Sequence, residues 1–445
     1  MSAMPRPCLL LSLLLLTACA VHEPVPTGVP EHYVGLKAPR PDGLQLRPGD
    51  RLAICGDSIT EQKMYSRVIE AYLAAARPDL GVSCRQYGCS GEQAGGFARR
   101  MQNDVLRFRP TVATTCYGMN DFRYVPYQAD LGEAYRANLK QIVRTFRAAG
   151  ARTIVGSPGT IHSVPHWVKG ARGTWEDLNL SLLRFRDIAV EVAEDEEAGF
   201  ADVYWPMLTH GHRMRALHGD AFKLEGADGV HPGWAGHMVM AAAFLDALGL
   251  DGDLGTIEAE FTPAGLNVTS RDGQRALRVR DGQVLPAGVM RVIHERIPFA
   301  IEPGDVRSDA AMAAGAALTD FHARFNRLTL RVTGLKGSVG RVTWGAGGKS
   351  KEFTAAALAS GINLAAEFPD NPTTPVFNSI WKAVGEKQAY ETKQIKTLFR
   401  SKEAKADMEK VVRESQVEFE RLDAALRSAV GNCESELLIE DLVRR

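Results

Sequence analysis

The sequence predicts an α/β protein: a parallel sheet covered by helices on both faces, then a small β-rich module and a C-terminal helical hairpin. Three observations carry this. From Arg51 to about Leu250, short apolar runs alternate with stretches of helical period. After Asp251 the period shortens to strands punctuated by Asp272-Gly273 and Asp281-Gly282. From Phe377 onward, apolar residues recur at helical spacing between mixed charged faces.

The N-terminus reads as a targeting segment. Arg6 precedes an apolar run, Leu9 to Leu16, that is broken only by Ser12 and is too short to span a bilayer. Leu16-Thr17-Ala18-Cys19 resembles a bacterial lipobox. That resemblance implies a signal peptide of residues 1–18, a lipid on Cys19 and an exported, envelope-anchored protein touching the membrane only through that lipid. The other reading is an ordinary signal peptide cut nearby. Residues 19–48, Pro-rich from Val21 to Pro30, read as a tether.

Residues 49–250 form the predicted α/β domain. Arg51 to Cys55 is a buried parallel strand, and Glu61 to Ala76 a helix with Tyr65, Ile69, Tyr72 and Leu73 near one face. Val82–Tyr87, Thr111–Tyr117, Arg152–Gly156 and Ala201–Trp205 read as further strands. Between and after them, helices are marked by Phe97, Met101, Val105 and Phe108, by Leu131 to Ala149, by Trp175 to Glu197 and by Trp234 to Leu248. Residues 251–350 form the β-rich module, with Leu328–Thr333 alternating as a half-buried strand should, and Ala310 to Ala317 reads as a loop or short helix. Residues 351–445 are read as helical, two short helices packing on the core more readily than they stand alone.

The formal net charge is zero, so nothing points to nucleic acid. With Cys8 in the signal and Cys19 lipidated, Cys55, Cys84, Cys89, Cys116 and Cys433 remain, an odd count. Cys55, Cys84 and Cys116 fall in strands and read as small buried apolar residues.

Chemistry is concentrated at strand ends. Ser58 lies in the strand-to-helix turn Gly56-Asp57-Ser58, where first-turn N–H groups favour negative charge. Taken alone, that turn reads more readily as a helix cap. Gly91 lies in the loop after the second strand, Gly118-Met119-Asn120-Asp121 follows the third, and Asp228-Gly229-Val230-His231-Pro232 precedes the last helix. Together they meet the needs of acyl transfer. A serine hydroxyl needs a base, which an imidazole supplies at neutral pH; a carboxylate orients that imidazole; the tetrahedral oxyanion needs preorganised donors.

These four blocks, in this order, resemble those of the SGNH/GDSL hydrolase superfamily over about residues 50–250. The resemblance implies a flavodoxin-like three-layer α/β/α sandwich and a serine esterase needing no metal and no cofactor. It assigns Ser58 as nucleophile, His231 and Asp228 as the rest of the triad, and Ser58, Gly91 and Asn120 as the oxyanion hole. The family's habits and the envelope location favour short acyl esters, such as O-acetyl groups on glycans. Lysophospholipase or thioesterase activity on the same residues is the enzymatic alternative, and a non-catalytic glycan-binding lipoprotein the other. His210, His212 and His218 read as surface-loop histidines rather than metal ligands.

Overall fold

Five strands make the central sheet: β1 (Arg51–Gly56), β2 (Ser83–Gln86), β3 (Val112–Cys116), β4 (Arg152–Gly156) and β5 (Gly199–Ala201). In the computed structural model, which describes residues 22, 24–277, 279–280, 283–284 and 288–442, they lie in the order β2-β1-β3-β4-β5. Every pairing is parallel, with Leu52 of β1 opposite both Cys84 and Val112. All five residues of β3 are buried, as expected of an inner strand covered on both faces. The strand order is the flavodoxin-like one. Its reversal lies at β1 and β3, beside whose carboxyl ends such sheets bind ligands.

The helices are α1 (Ser58–Glu61), α2 (Tyr65–Ala76), α3 (Ala94–Asp104), α4 (Ala129–Ala148), α5 (Trp175–Asp195), α6 (Tyr204–His218) and α7 (Trp234–Ala247). α3, α4 and α5 pack in succession, and α2 packs on α7. The expected helix from Glu61 is broken: Lys63 is left-handed (φ 56°) between α1 and α2. The expected fifth strand, Ala201–Trp205, lies earlier and is shorter than read, sharing only Ala201 with β5, because Tyr204 and Trp205 begin α6. Pro206 and Gly211 disguise that helix in the sequence, yet Pro in a first turn breaks no internal hydrogen bond.

Residues 19–48 are not a free tether where they are described. Tyr33 is fully buried, Leu36 N–H donates to Asp187 Oδ1 (3.0 Å), and Gln45 N–H donates to Leu248 O (2.9 Å). The Pro-rich composition disguised apolar anchors at Val29, Tyr33 and Leu46.

Beyond residue 252 the chain forms β6 (Asp253–Thr262), β7 (Gly265–Arg271), β8 (Gln274–Leu277), the short pair β9 (Val279–Arg280) and β10 (Gln283–Val284), and β11 (Val289–His294). The short helix α8 (Met312–Leu318), which packs on α7, occupies the stretch read as loop or helix. β12 (Arg327–Thr333), β13 (Val339–Trp344), β14 (Ser350–Thr354) and β15 (Ile362–Asn363) follow. Then come helices α12 (Thr374–Lys396) and α14 (Met408–Ala429), after the short α9 (Phe321–Phe325), α10 (Ala355–Ser360) and α11 (Leu364–Glu367) and either side of α13 (Lys402–Ala406). The chain does not end in helix as expected. β16 (Cys433–Asp441) enters the middle of a five-stranded antiparallel sheet, β14-β13-β16-β11-β8, beside the four-stranded sheet β15-β12-β6-β7. Its alternating burial, with Ser435, Leu437 and Ile439 inward and Glu434, Glu436 and Glu440 on the other face, is the period-two pattern of a strand, and Asp441 at its end accepts the Lys336 and Gly337 N–H groups.

The hairpin of α12 and α14 packs on α2 and on β2, the edge of the parallel sheet. An edge strand leaves outward N–H and C=O groups without partners. Here Glu391 accepts from Gln86 N–H (2.9 Å) and Lys387 donates to Cys84 O (2.6 Å). Two buried charged side chains of a helix thus stand where a sixth strand would pair.

Candidate active site

Ser58 opens α1 directly after β1. Asp57 caps that helix by accepting the Ile59 N–H (2.9 Å), so the first turn is fixed by the residue preceding the hydroxyl. His231 arrives on the loop before α7. Asp228 Oδ1 accepts the N–H groups of Val230 (2.9 Å) and His231 (2.8 Å), folding the loop back on its own carboxylate. The tight loop needs Gly229 at φ 86°, where Ser163 would also meet any side chain. Asp228 Oδ2 lies 2.8 Å from His231 Nδ1, and His231 Nε2 lies 2.8 Å from Ser58 Oγ. Burial alone would raise the Asp228 carboxyl. The N–H groups of His231 and Val230, with the imidazole itself, outweigh burial and hold it below the usual carboxylate range. An ionised Asp228 therefore faces Nδ1, which fixes the proton there and leaves Nε2 as an acceptor toward the hydroxyl. Both side chains are about a quarter exposed (25% and 27%), open to an incoming molecule.

Gly91 and Asn120 border the same region. Gly91 is left-handed (φ 71°), and a Cβ added to it would meet nothing within 4 Å, so it faces open space. Among the described residues, neither the Ser58 nor the Gly91 backbone N–H finds an acceptor in the chain. Asn120 Nδ2 lies 3.3 Å from Asp57 Oδ2 and 3.2 Å from Glu92 O, which puts its amide between the Ser58 turn and the Gly91 loop. These distances lie at and just beyond the upper end of the N–H···O range. The Asn120 backbone is pinned by Gln93 Nε2, which donates to its carbonyl at 3.0 Å. Asp121 accepts from Gly118 N–H (3.1 Å) and Ala94 N–H (3.0 Å), tying this loop to the start of α3.

From the sequence, Asp57 and Asp121 read as loop-stabilising neighbours of the key residues, while Glu92, His237 and Trp167 are not singled out. Burial raises the Asp57 carboxyl to about 7 and that of Asp121 to about 6, with Asp121 and Glu92 respectively adding repulsion. Glu92 is paired with Arg100 (2.7 Å). His237, on α7, is fully buried and driven down to about 3 by desolvation and by His231; Gln62 and the Tyr65 N–H hold it neutral. Trp167 is 44% exposed, with its ring 5.8 Å from that of His231. No motif or spacing rule marks Trp167 in the sequence. Pro158, just after β4, packs against Gly118.

His210, His212 and His218 are not in a surface loop, as expected, but on α6. His212 lies ring to ring with Tyr33 and Trp175, and burial lowers His210 to about 4. The five described cysteines are free thiols, with Cys55, Cys84 and Cys116 buried. Cys19 and the segment before it lie outside the described residues.

Residues 54–239 match the family model described as GDSL-like Lipase/Acylhydrolase family. This domain belongs to the SGNH/GDSL hydrolase superfamily, and the protein is an ester hydrolase. The hydrolase is 23% identical over 223 residues to an acetylxylan esterase of Geobacillus stearothermophilus, a match spanning 47% of this chain and 98% of the relative. A solved structure of an acetylxylan esterase from the same organism aligns with 46% of the hydrolase and 97% of its own chain, at 21% identity and a TM-score of 0.39. A gut microbial diltiazem-metabolizing enzyme aligns with 91% of the hydrolase and 100% of its own chain, at 21% identity and a TM-score of 0.71. The fold shared with that enzyme therefore extends well beyond the α/β domain.

Proposed function

We propose that this hydrolase removes short acyl groups, of the O-acetyl kind, from glycans, and that it works exported and anchored by a lipid on Cys19. The observation that carries the chemistry is the unbroken series Asp228 Oδ2–His231 Nδ1 and His231 Nε2–Ser58 Oγ, each 2.8 Å. In this reading Ser58 Oγ attacks the acyl carbonyl as His231 Nε2 takes its proton. The Ser58 and Gly91 N–H groups and the Asn120 amide receive the oxyanion. Collapse expels the alcohol, which leaves with the proton from His231. Water, deprotonated by the same imidazole, then attacks the acyl-enzyme and releases the acid and Ser58. The acetyl preference is supported by the acetylxylan esterase relative. A sugar alcohol is supported by exposed Trp167 beside His231, an apolar face on which a pyranose ring would lie. Purified protein should hydrolyse p-nitrophenyl acetate and acetylated xylooligosaccharides, and Ser58→Ala should do neither. Turnover undiminished in Ser58→Ala would place the chemistry elsewhere.

A further inference from the structure

We propose that the C-terminal helix α12 and the turn after it position the Gly91 loop, making Lys396 and Arg400 positioning residues for the oxyanion donors; this rests on the donor roles proposed above. Three connections run from the hairpin to residues 88–92. In the first, Lys396 Nζ pairs with Glu61 Oε1 (2.6 Å), and Glu61 Oε2 accepts both the N–H and the hydroxyl of Ser90 (2.6 Å each). Glu61 belongs to α1, the turn that Ser58 opens, so one carboxylate joins the nucleophile's helix to the residue before Gly91. Burial would raise that carboxyl, but the Lys396 ammonium and the two Ser90 donors hold it ionised.

In the second, Arg400 pairs with the fully buried Asp104, which also faces Arg100 (3.5 Å). Arg100 is bidentate to Glu92, the residue after Gly91, and donates to Tyr87 O. Glu92 O in turn accepts from Asn120 Nδ2, so this route reaches both proposed donors outside the Ser58 turn. In the third, Thr392 Oγ1 accepts from Gln86 Nε2 (2.8 Å), while Gln86 Oε1 accepts the Gly88 N–H. The loop is thus held before, beside and after Gly91 by groups whose far ends lie on the hairpin.

A loop bearing an oxyanion donor must be fixed before charge develops, since reorganisation during the reaction forfeits the gain. Loosening it should act on the transition state and leave ground-state binding nearly untouched. The test uses the full-length chain with p-nitrophenyl acetate, comparing Lys396→Met, Arg400→Met and both together. The double variant should lower kcat about tenfold, short of the roughly hundredfold that complete misplacement costs, with KM within about twofold. Affinity for a boronic acid mimic of the tetrahedral intermediate should fall by the same factor. Lys396→Arg, which keeps the charge, should restore kcat when set against Lys396→Met. The proposal is overturned if the double variant keeps wild-type kcat, if KM rises instead, or if kcat falls only in step with a lost folded fraction in the melting curve. Ser58→Ala, run alongside, separates the two levels: an inactive Ser58→Ala with an unaffected double variant removes the positioning role alone, whereas an active Ser58→Ala removes the reading on which it rests.

Discussion

Asn120 has two N–H groups and three calls on them: Asp57, Glu92 O and the oxygen of a reacting ester. In the proposed mechanism its worth to catalysis lies in the difference between a ground-state carbonyl and an oxyanion. Asn120→Ala should therefore lower kcat by about 10²–10³ and leave KM nearly unchanged. A rise in KM alone would assign the amide to ground-state binding. A fluorophosphonate probe should label the wild type and not Ser58→Ala. In the proposed triad Asp228 acts only through the imidazole, so Asp228→Ala should cost no more than His231→Ala or Ser58→Ala in kcat/KM. Trp167 touches no reacting atom in this scheme. Its loss should raise KM for acetylated xylooligosaccharides while sparing p-nitrophenyl acetate, which carries no sugar to stack; equal effects on both would remove the platform role.

At the scale of elements, α12 is joined to α2 and β2 by buried charge. Lys387 Nζ meets Glu70 Oε1 and Glu391 Oε1 at 2.7 Å each, and all three side chains are essentially inaccessible. Burial raises the Glu70 carboxyl in spite of Lys387, while Gln388 donates to its other oxygen (2.7 Å). Lys387→Met would leave two facing carboxylates without a cation, at a cost of about 3–5 kcal/mol. The sign of its pH dependence follows from proton binding. A buried carboxyl raised above its ordinary value of 4.5 binds protons more tightly in the folded state, so folding is favoured as pH falls and disfavoured as it rises through neutrality. The melting temperature of Lys387→Met should thus lie furthest below wild type near pH 8 and recover toward pH 5. A deficit independent of pH would mean that lost packing, not charge, sets the cost.

The whole molecule is closed by its last strand. β16 lies between β13 and β11, and Ser435 Oγ receives Trp344 Nε1 (2.9 Å) and meets His294 Nε2 (2.7 Å) in a buried cluster. Ser435→Ala should cost about 1–3 kcal/mol in denaturant melts, because a buried indole N–H loses its acceptor. A chain ending at Asn432 should aggregate, since it opens two long sheet edges at once. A chain ending at Leu250 keeps Ser58, Gly91, Asn120, Asp228 and His231 yet loses the groups that cap β2 and hold the Gly91 loop. Solubility with full esterase activity in that chain would show the hairpin to be dispensable. At the other end, Cys19→Ser should abolish lipid labelling and release the protein from the membrane fraction; unchanged association would leave another mode of attachment.

The α/β domain was legible because its signals are local. Apolar runs of strand length, helical spacing and turn residues at strand ends all lie within a few residues of one another, and the limits of β4 are the ones the pattern implies. The residues brought together at the site were legible for the same reason, since Ser58, Gly91, Asn120, Asp228 and His231 each follow or adjoin a local turn. What the sequence did not disclose depends on partners far along the chain. Tyr33 looks like part of a tether until Asp187 and Leu248 anchor its neighbours. Cys433 to Asp441 falls in a stretch read as helical, and it is a strand because β11 and β13 supply both its edges. Lys387, Lys396 and Arg400 look like the solvated face of a helix and its end, and only packing against α2, α1 and α3 turns them into buried or paired charges. A side chain's period can announce which way it faces; the partner that makes its charge tolerable is set by the tertiary fold alone.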